Sequence, residues 1–281
     1  MTQTPTPPQP ADPSTAQAPL DSPVVVERAG VVATVRINRP EAMNSLDTPT
    51  KEALLGALSE VAQDAGVRCV VLTGTGRAFC VGQDLREHIR LQQADDESLW
   101  RTVPEHYNPI VELLTTMDKP VVAAVNGVAA GAGAAFAMAA DFRVMVDTAG
   151  FNPAFAGIAL SCDSGSSWTL QRLVGPARAK ELLLLPRTVP AEECLALGLV
   201  TRVVAAEDLD AAVTELATTL AAGPTLAYGS IRRAVAFSAG HDLTASLAQE
   251  AEYMARTGAS ADHRAAVAAF LAKEKPTFTG G

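Results

Sequence analysis

The chain is poor in the residues that metal and redox chemistry need. It has four cysteines, at positions 69, 80, 162 and 194, and four histidines, at 88, 106, 241 and 263. Neither set is clustered and no Cys-x-x-Cys pair occurs, which argues against a zinc site and a disulfide framework. Reduced thiols and a cytoplasmic home follow as the expectation. Basic residues are outnumbered, 22 Lys and Arg against 31 Asp and Glu, for a net charge of −9. General nucleic-acid binding needs a basic face, so the balance argues against it, and an anionic small ligand would need local donors. No apolar run reaches the ~20 residues that span a bilayer. The closest, AAVNGVAAGAGAAFAMAA (123–140), is glycine-broken and built of small residues, so no membrane partner is expected. Residues 1–22 lack the basic start and apolar core of a secretory signal and the Arg of a transit peptide. Rich in Pro, Thr, Gln and Ala, they read as a disordered tail.

What is present is apolar and alternating. Hydrophobic residues make up 48% of the 281. VVVERAGVVATVRINRP (24–40) reads as two β segments around an Ala-Gly turn. DTPTKEALLGALSEVAQDAG (47–66) is an amphipathic helix with Asp47 or Thr48 as cap and Gly66 as stop. Strands are expected at 67–76, 119–127 and 142–146, and helices at 97–118, with a break near Pro104, and at 130–141. FNPAFAGIALSCDSG (151–165) reads as loop and strand, ending at Asp163, before helices at 166–185. No internal repeat is evident. Strands alternating with helices give an α/β core over 23–222, followed by a helical region over 223–281.

Two stretches share one design. GTGRAFCVGQDL (74–85) and AVNGVAAGAGAAFAMAAD (124–141) each carry a strand into a glycine-rich turn and then a helix. A helix start exposes unpaired N–H groups and partial positive charge, so both could serve an anionic oxygen. Two other readings stand beside this one. The glycines could simply allow tight packing. GAGAAF (131–136) also approaches the dinucleotide fingerprint G-x-G-x-x-G, but puts Phe at the third glycine.

Four segments in order carry a resemblance: NRPEAMNSL (38–46), GTGRAFCVGQDL (74–85), AVNGVAAGAGAAFAMAADFRV (124–144) and FLAKEKPTFTG (270–280). Together they resemble the enoyl-CoA hydratase/isomerase, or crotonase, family. The resemblance implies a spiral of ββα units with a C-terminal helical trimerisation region, a homotrimer or homohexamer, and an acyl-CoA substrate. Coenzyme A would enter as part of that substrate, with no other cofactor and no metal. It also implies that the backbone N–H groups of Gln83 and Ala132, beside Gly82 and Gly131, hold the thioester oxygen. Ala42, Gly82, Asp84, Leu85, Gly131, Phe155 and Lys273 would contact substrate, with Lys275 beside Lys273 near the CoA phosphates.

Family hydratases use two Glu residues. The matching positions here hold Ala135 and Ala154, and alanine transfers no proton. Asp163 stands where the isomerase branches, including those acting on ring epoxides of phenylacetyl-CoA, and 4-chlorobenzoyl-CoA dehalogenase place a working Asp. Its other reading is a helix cap, since Asp-Ser-Gly-Ser-Ser suits an N-terminus. Phe155, Ile158, Leu160 and Cys162 are apolar neighbours that would desolvate it and raise its pKa. The expected activity is double-bond isomerisation through an enolate, with Asp163 as base. The alternatives are hydration with atypical acid/base residues, aryl-CoA dehalogenation or hydrolysis, and non-catalytic acyl-CoA binding. Dehalogenation would also need a base for water, and His88 and His106 are the histidines nearest in sequence; the dehalogenase branch carries Trp where Phe155 stands. Asn44 reads as a turn residue, Glu41 stands where a basic residue is frequent, and Trp100, Trp168, Phe136 and Met138 read as packing residues.

Overall fold

A computed structural model describes residues 22–281. The expected tail therefore lies, apart from Ser22, outside the described residues. The chain opens with the hairpin β1 (Val24–Ala29) and β2 (Val32–Ile37), paired antiparallel from Val24–Ile37 to Ala29–Val32. Helix α1 (Thr48–Gln63) follows, with the Asp47 carboxylate accepting from the Thr50 N–H at 3.0 Å. Then come β3 (Cys69–Gly74), β4 (Ala78–Cys80), α2 (Leu85–Gln93) and α3 (Ser98–Thr102). A π-helical turn (Val103–Tyr107) runs directly into α4 (Asn108–Thr116). Next are β5 (Val121–Val125), β6 (Val128–Ala130), α5 (Ala132–Ala139), β7 (Phe142–Val146), β8 (Gly150–Asn152) and α6 (Ser166–Leu184). The rest is β9 (Val189–Pro190), α7 (Ala191–Ala196), β10 (Arg202–Val204), α8 (Leu209–Ala221), α9 (Thr225–Ser238), α10 (Leu243–Gly258) and α11 (Ala261–Ala272).

The strands form two sheets. The larger runs β1-β2-β3-β5-β7-β10 and is parallel beyond the first hairpin; the smaller runs β4-β6-β8-β9. β3 and β5 are buried along their whole length, and their near-continuous apolar sequences suit a parallel strand covered on both faces. Helix α8 packs across β3, β5 and β7, and α1 against the opening hairpin. Three times in succession a long strand joins the larger sheet, a short one joins the smaller, and a helix follows: β3-β4-α2, β5-β6-α5, β7-β8-α6. This is the expected ββα spiral. The repeat lies in topology alone; the helices that close the turns share no pattern visible in sequence.

Several local expectations need correction. The segment before Asp163 is not a strand. A 3₁₀ turn at Ala156–Ile158 and a left-handed Ala159 (φ 59°) fold it back, with the Leu160 N–H donating to Phe155 O at 3.1 Å. Pro104 does not break the helical run. The chain widens into a π turn, closed by the Asn108 N–H on Val103 O. Phe136 and Met138 are core residues, but Trp100 and Trp168 are exposed, 59% and 39%. Trp100 meets His88 edge-on, and the Arg172 guanidinium lies 4.1 Å from the Trp168 ring. The helices expected over 166–185 run on as the single element α6, kinked at Gly175 (φ 76°) before Pro176. At the C-terminus α10 packs on α9 and leaves Leu243, Leu247 and Met254 exposed, with Phe270 and Leu271 exposed on α11.

Candidate active site

The smaller sheet decides where the glycine turns meet. β4, β6 and β8 are parallel neighbours, with Cys80 opposite Ala129 and Ala130 opposite Asn152. The turns leaving their C-terminal ends therefore emerge side by side, where ligands bind in open parallel sheets. Gly82 has φ +83°, and a Cβ there would come within 2.9 Å of Ala130 O and 3.3 Å of Ala132 N. Any other residue would push the two turns apart. Gly131 has nothing within 4 Å of a built Cβ, but its φ of +52° and ψ of −126° are not accessible to a side-chain-bearing residue without strain. The tight-packing reading is thus true of Gly82 and insufficient for Gly131, whose backbone has to turn so that α5 begins at Ala132.

The N–H groups of Gln83 and Ala132 have no acceptor among the described residues. Around Gln83, the Leu46 N–H donates to Gly82 O at 2.8 Å and the Asp84 N–H to Leu46 O at 3.1 Å, so its neighbours are satisfied and its own donor is left over. Ala132 is the first residue of α5, where no intrahelical acceptor exists. A cavity of about 810 Å³ lies against the first turn, lined by Ala42, Val81, Gln83, Asp84 and Leu85 among others. Arg39, Arg77, Arg86 and Arg90 also border it, beside the acidic Glu41. A second cavity, about 620 Å³ between α5, α6 and α9, contains none of the expected site residues.

Asp84 is fully occupied. Its Oδ1 accepts from the N–H groups of Arg86 (3.0 Å) and Glu87 (3.2 Å), capping α2. Its Oδ2 accepts from the Arg39 guanidinium and the Ser45 hydroxyl, each at 3.1 Å. Burial works to raise its pKa, but the Glu87 N–H, Ser45, Arg39 and the Arg86 N–H together hold it below the usual carboxylate range. Asn44 is a staple, as its turn reading implied. Left-handed and fully buried, it accepts from the Arg39 N–H (2.9 Å) and donates to Thr75 O (2.9 Å) and Ala78 O (2.7 Å).

Asp163 is the opposite case. Helix α6 starts at Ser166 with Gly165 as its cap residue and no side-chain capping bond. Only the Asp163 backbone carbonyl accepts from Ser166 N–H, at 2.9 Å. Two left-handed residues, Ser164 (φ 52°) and Gly165 (φ 70°), separate the carboxylate from the helix axis, so the cap reading fails. The carboxyl oxygen accepts one hydrogen bond, from the Ser164 hydroxyl at 2.7 Å. Burial raises its pKa, and the Ser164 bond only partly offsets this. Of its apolar neighbours in sequence, Phe155 is buried and Ile158 is exposed. The phenol of Tyr107 is pushed well above its ordinary pKa, first by burial and then by the Asp163 charge beside it. Tyr107 in turn donates to Gln83 Oε1, which puts Asp163 in the neighbourhood of the first donor turn. Ala135 is buried in α5 and Ala154 half-buried after β8; neither brings an acid.

Gly82, Gly131, Ala132, Phe155 and Asp163 are not among the residues that line the 810 Å³ cavity, and neither is Lys273. It ends α11 in a left-handed conformation, and the chain beyond it folds back to Arg68 at the start of β3, whose guanidinium donates to Phe278 O at 3.0 Å. His88 meets Trp100 edge-on, and His106 meets the Thr102 hydroxyl at 3.4 Å. Sequence reading missed Lys51, which is 1% exposed and reaches Gln83 from α1. The signal was there: Lys51 falls in step with Leu54, Leu58 and Val61, on the helix face that is otherwise apolar.

Known proteins resemble this chain over most of its length. Residues 27–281 match the family model described as Enoyl-CoA hydratase/isomerase. The chain is 40% identical over 249 residues to the 1,2-epoxyphenylacetyl-CoA isomerase of Escherichia coli, covering 89% of this chain and 95% of that one. It is 36% identical over 215 residues to 4-chlorobenzoyl coenzyme A dehalogenase-2 of an Arthrobacter species, covering 76% and 78%. A crystal structure of an enoyl-CoA hydratase from Bacillus anthracis superposes with a TM-score of 0.86 at 28% identity, covering 92% of this chain and all of that one. The family-model match over residues 27–281, with 40% identity to the isomerase over 89% of the chain, makes this chain a member of the enoyl-CoA hydratase/isomerase family of acyl-CoA enzymes.

Proposed function

We propose that the protein moves the double bond of an enoyl-CoA thioester, with Asp163 as its base. The observation that carries this reading is a lone carboxylate with raised proton affinity, freed from cap duty, in a site where both hydratase acid positions are alanine. Asp163 takes a proton from a carbon made acidic by the thioester. The N–H groups of Gln83 and Ala132 receive the charge that grows on the thioester oxygen. Such preorganised donors are worth roughly 3–4 kcal/mol each when one is removed. Protonated Asp163 then returns the proton two carbons away, and the bond shifts without gain or loss of mass. The chemistry asks nothing of a metal or of any cofactor beyond the CoA carried by the substrate. A raised pKa suits the base, because proton transfer is most effective when the pKa lies nearer the working pH.

Ala42, Leu85 and the cleft arginines are the side chains available to hold the CoA portion, and Phe155 the acyl portion. Lys273 could serve only a neighbouring copy. We assign the exposed apolar face of α10 and α11 to that assembly, a trimer or a dimer of trimers. The dehalogenase relative supports a second reading, in which Asp163 attacks an aromatic ring. The assay that separates them offers 3-hexenoyl-CoA, 2-hexenoyl-CoA and 4-chlorobenzoyl-CoA to the purified protein, followed by absorbance and product mass. Isomerisation without mass change supports the proposal. Water gain on the 2-enoyl substrate would replace it with a hydratase lacking both Glu residues, chloride release with a dehalogenase, and no turnover with an acyl-CoA-binding protein.

A further inference from the structure

The side chain of Gln83 is held from three directions. Its Oε1 accepts from the Tyr107 hydroxyl and from Lys51 Nζ at 3.4 Å, and its Nε2 donates to Glu87 Oε2 at 3.4 Å. Lys51 Nζ also donates to Thr102 Oγ1 at 2.8 Å and to Glu87 Oε2 at 3.3 Å, and lies 5.8 Å from the centre of the Tyr107 ring. An ammonium buried this completely is expensive unless every donor is satisfied. Here its three bonds go to groups on three separate segments: the donor turn, α2 and α3. Burial depresses the Lys51 pKa and Glu87 opposes that shift.

Tyr107 ties this group to the second donor as well. It is 2% exposed, and its ring meets Phe136 edge-on at 5.9 Å. Phe136 lies in the short α5 that begins with Ala132. The residue owes its aim to the π turn: the Asn108 N–H reaches back five residues to Val103 O, and Tyr107 is the last residue of that widened turn. Widened turns of this kind recur at functional sites.

We propose that Lys51, Tyr107 and the Gln83 side chain form a buried clamp that fixes the Gln83 peptide, which makes Lys51 and Tyr107 positioning residues for the N–H that receives the growing oxygen charge. This rests on reading that N–H as a donor to the thioester oxygen. It does not depend on which reaction follows.

The test uses the full-length protein with Tyr107→Phe, Gln83→Ala and the double variant. Tyr107→Phe keeps both ring contacts and removes only the hydroxyl; Gln83→Ala keeps the peptide N–H. The probe is hexanoyl-CoA labelled with ¹³C at the thioester carbonyl, which has no double bond to move, observed by infrared difference spectroscopy. In the wild-type protein the carbonyl band moves to lower frequency, because N–H donors polarise the bond. Each single variant loses a similar part of that shift, and the double variant loses no more than one of them, since both changes break the same contact. With a turned-over substrate kcat falls about tenfold or more in both and KM is little changed, as expected for misplacing a donor that acts in the transition state. A full shift in Tyr107→Phe, additive losses, or no shift in the wild type would each overturn the clamp. If 3-hexenoyl-CoA is not isomerised but the band behaves as described, the isomerase reading falls and the clamp stands. If isomerisation proceeds and Tyr107→Phe alters neither band nor kcat, the clamp falls alone.

Discussion

Two aspartates stand before helices at this site, and the fold treats them in opposite ways. Asp84 precedes α2, is 8% exposed, and spends both oxygens on two backbone N–H groups, a guanidinium and a hydroxyl. Asp163 precedes α6 and has one hydroxyl. Burial acts to raise the pKa of both, but only at Asp84 do the partners reverse it. A carboxylate with four donors is part of the scaffold, and one that burial has left nearly alone is available for proton transfer. Two similar acids given different work by their surroundings is a general device of acid/base sites.

The sharpest way to break the comparison is to neutralise Asp163. Asp163→Asn keeps the shape and should cost roughly 10²–10⁴-fold in turnover, the usual worth of a general base. Thermal unfolding should show no loss of stability. The raised pKa means that the charged form weakens the folded state, so what Asp163 contributes is present below its unfolded pKa and lost as pH rises through its folded one. A variant that is inactive because it is unfolded would end the catalytic reading.

Asp84→Ala should behave in reverse. It removes the α2 cap and leaves Arg39 with Asp47 as its remaining carboxylate partner, at 3.1 Å. A loss of about 2–3 kcal/mol in urea unfolding is expected, from one cap and the buried hydrogen bonds. Its pKa is depressed, so its contribution exists above the unfolded pKa and disappears as pH falls through the folded value. The deficit of Asp84→Ala relative to wild type should therefore be largest near neutral pH and close as pH falls, whereas Asp163→Asn should show no such deficit. Equal stability of wild type and Asp84→Ala at neutral pH would show that the four contacts count for little.

The finest adjustment is Ser164→Ala. The hydroxyl lowers the Asp163 pKa against burial, so its loss should move the acid limb of the kcat/KM profile to higher pH. That limb should already lie above the usual carboxylate range in the wild type. The maximum rate at high pH should change little. A limb that stays in place would mean that a different group controls the rate.

The features that could be read from sequence are those set by local chemistry. Unbroken apolar runs gave β3 and β5, and the Asp47 cap gave the start of α1. Glycines 82 and 131 stood out because only glycine takes such turns cheaply, and the order of four motifs pointed to the family. The absence of acids at 135 and 154 is likewise a fact of sequence alone. Tertiary structure decided the rest. That the two glycine turns meet depends on the parallel pairing of β4, β6 and β8, three short strands far apart in the chain. Asp163 reads locally as a cap, and only the left-handed pair after it turns its carboxylate away from the helix. The apolar stretch before it resembled a strand, yet it has no partner in either sheet and folds into a 3₁₀ turn. Lys51 looked like one more charge on an amphipathic helix. Its burial is decided by Glu87, Thr102 and Gln83, which lie 32 to 51 residues away and reach it only when the spiral closes. Sequence determines what each residue can do, and a cleft is decided by which of them the long-range pairings bring together.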